Sequence, residues 1–94
     1  MTACGIDKNI KKGEKYLALG EYYDAADQFK QAYTKTPTKE REKRGQRALK
    51  MALCYEKINA TPKAVAAYRN AIRYGQANIL NRLNYARQLL KNGD

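Results

Sequence analysis

The fold class is decided by two stretches of sequence that share one spacing: GEKYLALGEYYDAADQFKQAY (residues 13–33) and ALCYEKINATPKAVAAYRNAI (residues 52–72). In each stretch an aromatic residue is followed by a small residue, a second aromatic and a second small residue at identical offsets. These residues are Tyr16, Ala25, Phe29 and Ala32 in the first stretch and Tyr55, Ala64, Tyr68 and Ala71 in the second. Helix formers dominate both stretches, and neither alternates apolar and polar residues as a strand does. The sequence therefore predicts a repeated pair of helices.

Turn residues divide the chain into five expected helices. Gly20, Pro37, Asn59 and Gly75 interrupt the helix-forming segments. The helices are expected at about 6–19, 22–35, 39–57, 62–74 and 78–92. The pair Thr61-Pro62 is typical of an N-cap followed by proline at the first helical position, and Gly75 is typical of a C′ residue. Because all the connections are short, neighbouring helices are expected to run antiparallel.

Composition excludes most kinds of chemistry. The 94 residues suffice for one small domain, and 19 Lys+Arg against 9 Asp+Glu give a net charge of +10. There is no His, and the two cysteines lie too far apart in sequence for a zinc-binding pair. No nucleophile–base constellation is present, so we expect no enzymatic activity, no cofactor and no metal. We expect Cys54 to be a small buried hydrophobe and not a reactive thiol.

The repeated spacing resembles the tetratricopeptide repeat, a helix–turn–helix unit of about 34 residues with small-x2-Tyr, Ala-x3-aromatic and terminal Pro positions. Gly13 and Ala52 hold the small position, and Pro37 closes the first unit. Two units run from about 6–39 and 45–78, and an incomplete third unit, with Ala86 at its small position, covers 79–94. The resemblance implies an all-α, right-handed helical solenoid of two and a half repeats and five helices.

Four positions depart from the tetratricopeptide pattern. Asn9, Ala48 and Arg82 stand where a unit usually has a large aromatic residue, and Lys12 stands where it has Leu. Two of these departures fall in the first helix, so we expect that helix to be the least well packed.

The beginning of the chain resembles the end of a bacterial lipobox, because Thr2-Ala3-Cys4-Gly5 places small residues around a cysteine. Residues 1–5 would then be a lipobox remnant and tether, Cys4 the lipidated residue, and 6–94 the repeat domain. The alternative is an incidental free cysteine in a flexible tail.

A tetratricopeptide segment behind a lipobox resembles the OmpA-family outer-membrane lipoproteins of the PorE type, which serve type IX secretion in Bacteroidetes. The resemblance implies a periplasm-facing outer-membrane lipoprotein that is part of a longer protein and connects the secretion machinery to peptidoglycan. Its only membrane attachment would be the lipid on Cys4.

The tetratricopeptide resemblance also implies a concave groove, formed by the first helix of each unit, that binds a protein partner. The corresponding residues are Ile10, Glu14, Leu17, Leu49, Leu53, Glu56, Leu83, Arg87 and Leu90. The Lys/Asn set with which some members clamp a C-terminal carboxylate is not reproduced. We therefore expect the groove to accept a helix or an extended apolar segment. The alternative function is a structural spacer that stacks on the rest of a larger lipoprotein.

The basic excess is concentrated at the third helix, where Lys39, Lys43, Arg47 and Lys50 are expected to form one stripe within about 80°. This patch fits either a binding surface for an acidic partner, a lipid headgroup or a polyanion, or a solvated face that keeps the domain soluble. Nucleic acid is not expected, since base-stacking aromatics are not interleaved with the stripe.

The last expected helix carries more apolar residues than one neighbour can cover: Ile79, Leu80, Leu83, Tyr85, Ala86, Leu89 and Leu90. The pattern predicts an exposed apolar stripe on this helix. We expect the isolated domain to form a homodimer through it or to exchange helices, and the continuing chain to cover it in a longer protein. The alternative is a monomer whose last helix lies over the groove.

Overall fold

The computed structural model describes the backbone of residues 2–93 and the side chains of residues 5–93. This part of the chain contains five α-helices and no strand: α1 (Thr2–Ala18), α2 (Tyr22–Lys35), α3 (Arg41–Lys57), α4 (Thr61–Arg73) and α5 (Ile79–Lys91). The all-α prediction is confirmed. α1 begins earlier than expected, so the backbone of residues 2–5 is helical and continuous with the first helix. The side chain of Cys4 lies outside the described residues.

Three helices end in the same left-handed turn. Gly20, Asn59 and Gly75 have positive φ angles of 77°, 59° and 102° after α1, α3 and α4. In each case the next residue donates its N–H back across the turn to a carbonyl of the last helical turns: Glu21 to Tyr16 (2.8 Å), Ala60 to Tyr55 (2.9 Å) and Gln76 to Ala71 (2.9 Å). The predicted C′ role of Gly75 is thus confirmed, and Asn59 takes the same role because asparagine tolerates this conformation.

The helix starts differ from one another. The N-cap of α4 is Ala60, and Thr61 is already helical, so the predicted cap is wrong by one residue. Pro62 is the second helical residue and not the first, although it lies in the first turn. The N-cap of α5 is Asn78, whose side chain accepts a 2.8 Å hydrogen bond from the backbone N–H of Asn81.

Consecutive helices pack on one another in antiparallel pairs. On α1 and α2, Gly13 lies against Phe29, whereas Asn9, one turn earlier, bonds to Gln31. On α3 and α4, the Arg41 side chain bonds to the Arg73 carbonyl and Glu56 bonds to Tyr68. Because the residue number falls on one helix as it rises on the next, the antiparallel prediction is confirmed. The right-handed solenoid form stays a prediction.

The repeat positions form the core. Phe29 and Tyr68 are fully buried, together with the small residues Ala25, Ala32, Ala52, Ala64 and Ala71. Small residues permit close helix approach, and the two aromatic rings fill the space that remains. α3 lies between α2 and α4 and buries residues towards both, namely Gly45, Ala48, Met51, Ala52, Cys54 and Tyr55.

Asn9 is buried, although we expected it to weaken the packing of α1. Its Nδ2 donates to Gln28 Oε1 (2.8 Å) and Gln31 Oε1 (3.2 Å), and its Oδ1 accepts from Lys35 Nζ (2.9 Å). A hydrogen-bonded polar cluster thus replaces the aromatic residue of the motif. The expected loose packing is not seen at this residue, because its polar atoms all have partners.

Arg44 joins three helices at one point. Its guanidinium lies 4.1 Å from the Tyr33 ring centroid and 5.0 Å from that of Tyr74, and it donates to the carbonyls of Tyr33 (3.2 Å) and Thr36 (2.7 Å). This stacking leaves Tyr74 half-buried. Arginine can combine stacking and forked hydrogen bonding in this way, which lysine cannot.

Candidate protein-binding site

A recess of about 390 Å³ lies between α1 and α3, and its lining residues are Ile10, Glu14, Phe29, Gln46, Arg47 and Lys50. The α1 side supplies two of the predicted groove residues, Ile10 and Glu14. The α3 side supplies two of the predicted basic residues, Arg47 and Lys50. The Phe29 ring, from α2, lies beneath the recess and is itself fully buried, so the accessible apolar surface comes from the partly exposed Ile10. The structure thus brings together residues that the sequence assigned to two separate sites.

An ion pair spans this recess. Lys50 Nζ lies 3.1 Å from Glu14 Oε2, and the two side chains are 41% and 48% exposed. The same Nζ lies 5.9 Å from the centroid of the Phe29 ring. A pair this exposed contributes about 0–1 kcal/mol, so an incoming charged group can displace either partner at little cost.

Two consecutive hydrogen bonds fix the Arg47 side chain to the C-terminal end of α2. Its Nη1 donates to Thr36 Oγ1 (2.8 Å), and that buried hydroxyl donates to the Ala32 carbonyl (2.7 Å). The guanidinium is therefore half-buried and fixed in direction, while Lys50 beside it is tied only by its ion pair. The recess combines one fixed cation, one displaceable ion pair and an apolar surface.

The predicted basic stripe is not one free surface. Lys39 lies before α3, which begins at Arg41, so the prediction of four basic residues on one helix is wrong in that respect. Lys43 Nζ pairs at 3.3 Å with Oε1 of Glu40, just before α3, and Lys50 pairs with Glu14, on α1. Both carboxylates lie outside α3, so α3 alone would leave these two lysines unpaired.

The other predicted groove residues divide into two groups. Leu17 and Leu49 are partly buried against the core, and Glu56 accepts a 2.6 Å hydrogen bond from the Tyr68 hydroxyl. These three residues serve the packing of each first helix on the next helix. The exposed residues are Leu53, beside the α1–α3 recess on α3, and Leu83, Arg87 and Leu90 on α5.

The Tyr68 hydroxyl lies where α3, α4 and α5 meet. Burial raises its pKa, and the hydrogen bond to the Glu56 carboxylate raises it further, while Arg87 and a contact with Asn84 act in the opposite direction. The hydroxyl therefore stays protonated and remains the donor to Glu56. Tyr68 has a structural role here.

Cys54 is buried as predicted, with 1% of its surface exposed. Burial raises the pKa of its thiol to about 11, with Lys50 lowering it and Glu14 raising it. A thiol with this pKa is almost entirely protonated at neutral pH, and the thiolate is the nucleophilic form. Cys54 therefore behaves as an apolar core residue.

Sequence reasoning missed a second concave surface, between α2 and α4. Two adjoining recesses of about 380 and 440 Å³ share Lys30, Tyr55 and Lys63 as lining residues. Lys63 Nζ lies 5.8 Å from the Tyr55 ring centroid, and burial raises the pKa of the Tyr55 hydroxyl. The repeat pattern located buried Tyr55. The repeat pattern did not indicate a role for Lys30 and Lys63, because they lie next to the motif positions Phe29 and Ala64 and not at them.

The predicted apolar stripe on α5 is confirmed. Ile79 is 85% exposed, Leu80 63%, Leu83 54% and Leu90 76%. The homodimer that we expected through this stripe stays a prediction.

None of the helices described in residues 2–93 is long and apolar enough to cross a membrane. Comparisons with protein-family models, with curated proteins and with solved structures find no match for this chain. The tetratricopeptide and lipoprotein resemblances therefore rest on the quoted residues alone.

Proposed function

We propose that this chain is a non-enzymatic protein-binding scaffold that holds a helix or an extended apolar segment in the recess between α1 and α3. The observation that carries the proposal is the Glu14–Lys50 pair spanning a recess whose lining includes the partly exposed Ile10. Apolar contact supplies affinity in such grooves, and a few charged groups at the edge set orientation.

The charges of the recess indicate the partner's chemistry. Arg47 is fixed by Thr36, whereas Lys50 and Glu14 can exchange their mutual contact for a contact with the partner. A segment with apolar side chains and an acidic residue would place its carboxylate between Arg47 and Lys50. Leu53, 41% exposed on α3, extends the apolar surface beyond the recess.

The proposal extends to location through the sequence resemblance alone. Thr2-Ala3-Cys4-Gly5 and the repeat pattern together support a periplasm-facing outer-membrane lipoprotein in an assembly of the type IX secretion kind, linked to peptidoglycan. In that setting the chain would dock another envelope protein and be held at the membrane by the lipid on Cys4.

A pull-down that compares Leu53→Glu with wild type tests the groove. Leu53→Glu should lose the partners that wild type recovers, because a carboxylate replaces an apolar contact beside the recess. The matched control is Leu19→Glu, which changes an exposed leucine in the α1–α2 turn and should recover them all. A photo-crosslinker at Gln46, which lines the recess, should label the same partners. Equal recovery by Leu53→Glu and wild type would count against the proposal.

A structural spacer is the second candidate, and the exposed apolar residues of α5 favour it. A spacer would use this end of the helix array to stack on the rest of a larger protein. In that case the groove variant Leu53→Glu would behave as wild type, and substitutions at Leu83 and Leu90 would disturb assembly.

A further inference from the structure

The buried residues of α5 are polar, and its most exposed apolar residues lie on the opposite side of the helix. Asn81 and Gln88 are its buried residues, whereas Ile79, Leu83 and Leu90 are exposed. At about 100° per residue, the buried pair lies on the side of the helix opposite the exposed apolar residues. We call Ile79, Leu83, Ala86 and Leu90 the α5 row, since they share one line along the helix.

Polar contacts hold α5 in this orientation. Asn81 Nδ2 donates to the Gln76 carbonyl (2.9 Å), Arg69 Nε donates to the Tyr85 hydroxyl (3.1 Å) and Lys91 Nζ donates to Asn59 Oδ1 (2.8 Å). Among the described residues, Gln88 Oε1 is buried without a hydrogen-bond partner. No leucine of α5 is buried, so its contact with the rest of the domain consists of Asn81, Gln88, the Tyr85 ring and these hydrogen bonds. The apolar row lies outside this contact.

α1 and α3, the first helices of the two preceding units, have a row at the same positions. On each of them the next helix packs against this row. The corresponding residues are Ile6, Ile10, Gly13 and Leu17 on α1, and Gly45, Leu49, Ala52 and Glu56 on α3. Gly13 lies against Phe29 of α2, and Glu56 bonds to Tyr68 of α4. The α5 row is the third example of this surface, with no helix on it among the described residues.

The two helices that dock on such rows indicate what an occupant looks like. Both α2 and α4 present a small residue, an aromatic residue four positions later and a small residue three positions after that. All six of these residues are fully buried: Ala25, Phe29, Ala32, Ala64, Tyr68 and Ala71. An amphipathic helix with an Ala-x3-aromatic-x2-Ala face therefore fits the α5 row.

The charges beside the row decide between a second copy and a different partner. Viewed along the helix axis, Arg82 lies about 60° from Ile79 on one side of the row, and Arg87 lies about 80° from Ile79 on the other side. Residues 76–93 contain Arg82, Arg87 and Lys91 and no acidic residue. A symmetric pairing of two α5 helices would place these like charges together. The outer side of α1 in a second copy is also a poor partner for the α5 row. It carries the exposed residues Lys8, Lys12 and Lys15, which would again place like charges together.

We propose that the α5 row is a docking site for an amphipathic helix of a partner protein, with an Ala-x3-aromatic-x2-Ala face flanked by acidic residues. The aromatic side chain packs beside Ala86, as Phe29 packs beside Gly13, and the carboxylates pair with Arg82 and Arg87. This site goes beyond the proposed groove, since it lies on the outer side of α5 and does not use the α1–α3 recess.

Two synthetic helical peptides test the site on the full chain by fluorescence anisotropy. Both carry an Ala-x3-Tyr-x2-Ala face, and their flanking positions are Glu in one peptide and Lys in the other. The Glu peptide should bind wild type, and Leu83→Gln/Leu90→Gln should weaken this binding by at least about tenfold. Leu19→Gln, an exposed leucine away from α5, should leave it unchanged. Arg82→Glu/Arg87→Glu should reverse the preference in favour of the Lys peptide.

Equal binding of the two peptides, or binding insensitive to Leu83→Gln/Leu90→Gln in a variant whose circular dichroism matches wild type, would overturn the proposal. A wild-type dimer by light scattering that excludes both peptides would assign the row to a second copy and also overturn it. Leu53→Glu should bind the Glu peptide as wild type does, so failure of the groove proposal remains distinguishable from failure of this one.

Discussion

Gly13 of α1 lies directly against the ring of Phe29 of α2, so that a Cβ at Gly13 would be 2.8 Å from the ring atoms Cε1 and Cζ. Gly45 of α3 makes a similar approach to the end of α4, where a Cβ would be 2.6 Å from the Tyr74 carbonyl oxygen. Both first helices thus have a glycine at a point where the next helix or its end leaves no room for a Cβ. The consequences can be measured as changes in the free energy of unfolding.

Gly13→Ala should lower the free energy of unfolding by about 1–2 kcal/mol, measured by urea denaturation. Phe29 is fully buried, so its ring has little room to move, and overpacking costs about 1–3 kcal/mol. The better helix propensity of alanine offsets only part of this cost. The matched control is Gly5→Ala on the same helix, where the nearest atom is the flexible Lys35 Nζ at 3.4 Å. The control should be neutral or stabilising by up to about 1 kcal/mol. A Gly13→Ala protein as stable as Gly5→Ala would show that Phe29 can yield.

Gly45→Ala should be more destabilising than Gly13→Ala. The obstructing atom is a backbone oxygen at the end of α4, which moves only if that helix end moves. We expect a loss of about 2–3 kcal/mol in the same denaturation experiment. A smaller loss than that of Gly13→Ala would contradict a rigid α3–α4 contact.

Arg44→Lys should destabilise the fold by about 1–3 kcal/mol, although it conserves charge. Lysine cannot stack between Tyr33 and Tyr74 and donate to the carbonyls of Tyr33 and Thr36 at once. Lys43→Ala on the same helix removes only an exposed ion pair with Glu40 and should change stability by about 0.5 kcal/mol or less. Similar decreases in the free energy of unfolding of both variants would show that the contacts of Arg44 with α2 and the end of α4 do not stabilise the fold.

Stability should fall as the pH rises above 9, in part because of Cys54. The folded pKa of about 11 lies above the ordinary value of 9.0, so the stabilisation is complete below pH 9. Between pH 9 and 11 the unfolded chain releases this proton while the folded chain keeps it, and the free energy of unfolding decreases. The free energy of unfolding, obtained from thermal denaturation at pH 8 and at pH 10.5, should decrease between these two pH values. The decrease should be smaller by about 2 kcal/mol in Cys54→Ala than in wild type. Equal decreases in both proteins would contradict the raised pKa.

Cys4→Ala should release the protein from the membrane fraction of a bacterial host that expresses it behind a lipoprotein signal peptide. The expectation follows from the lipobox-like Thr2-Ala3-Cys4-Gly5. Fractionation followed by immunoblotting measures the distribution, and Cys54→Ala serves as the control that keeps Cys4. If Cys4→Ala remains in the membrane fraction at the wild-type level, the lipidation proposal is wrong.

The helices and the core could be predicted from the sequence because their signals are local. Gly20, Asn59 and Gly75 mark helix ends through their own backbone preferences. The repeated small and aromatic positions located Phe29 and Tyr68 in the core, since each helix needs one apolar side facing its neighbour. The excess of apolar residues on α5 likewise predicted an exposed stripe, because one neighbour covers only one side of a helix.

The functional surfaces depended on contacts between residues far apart in sequence. Whether Lys50 is a free cation or a partner of Glu14 depends on how α1 and α3 align, and no local pattern records that alignment. The same holds for Asn9, which is harmless when buried only because Gln28, Gln31 and Lys35 of α2 reach it. The sequence by itself therefore determined the five helices, the buried small and aromatic repeat positions and the apolar excess of α5. Tertiary structure decided which charges are paired and which recesses are open, because both depend on distances of a few ångströms between separate helices.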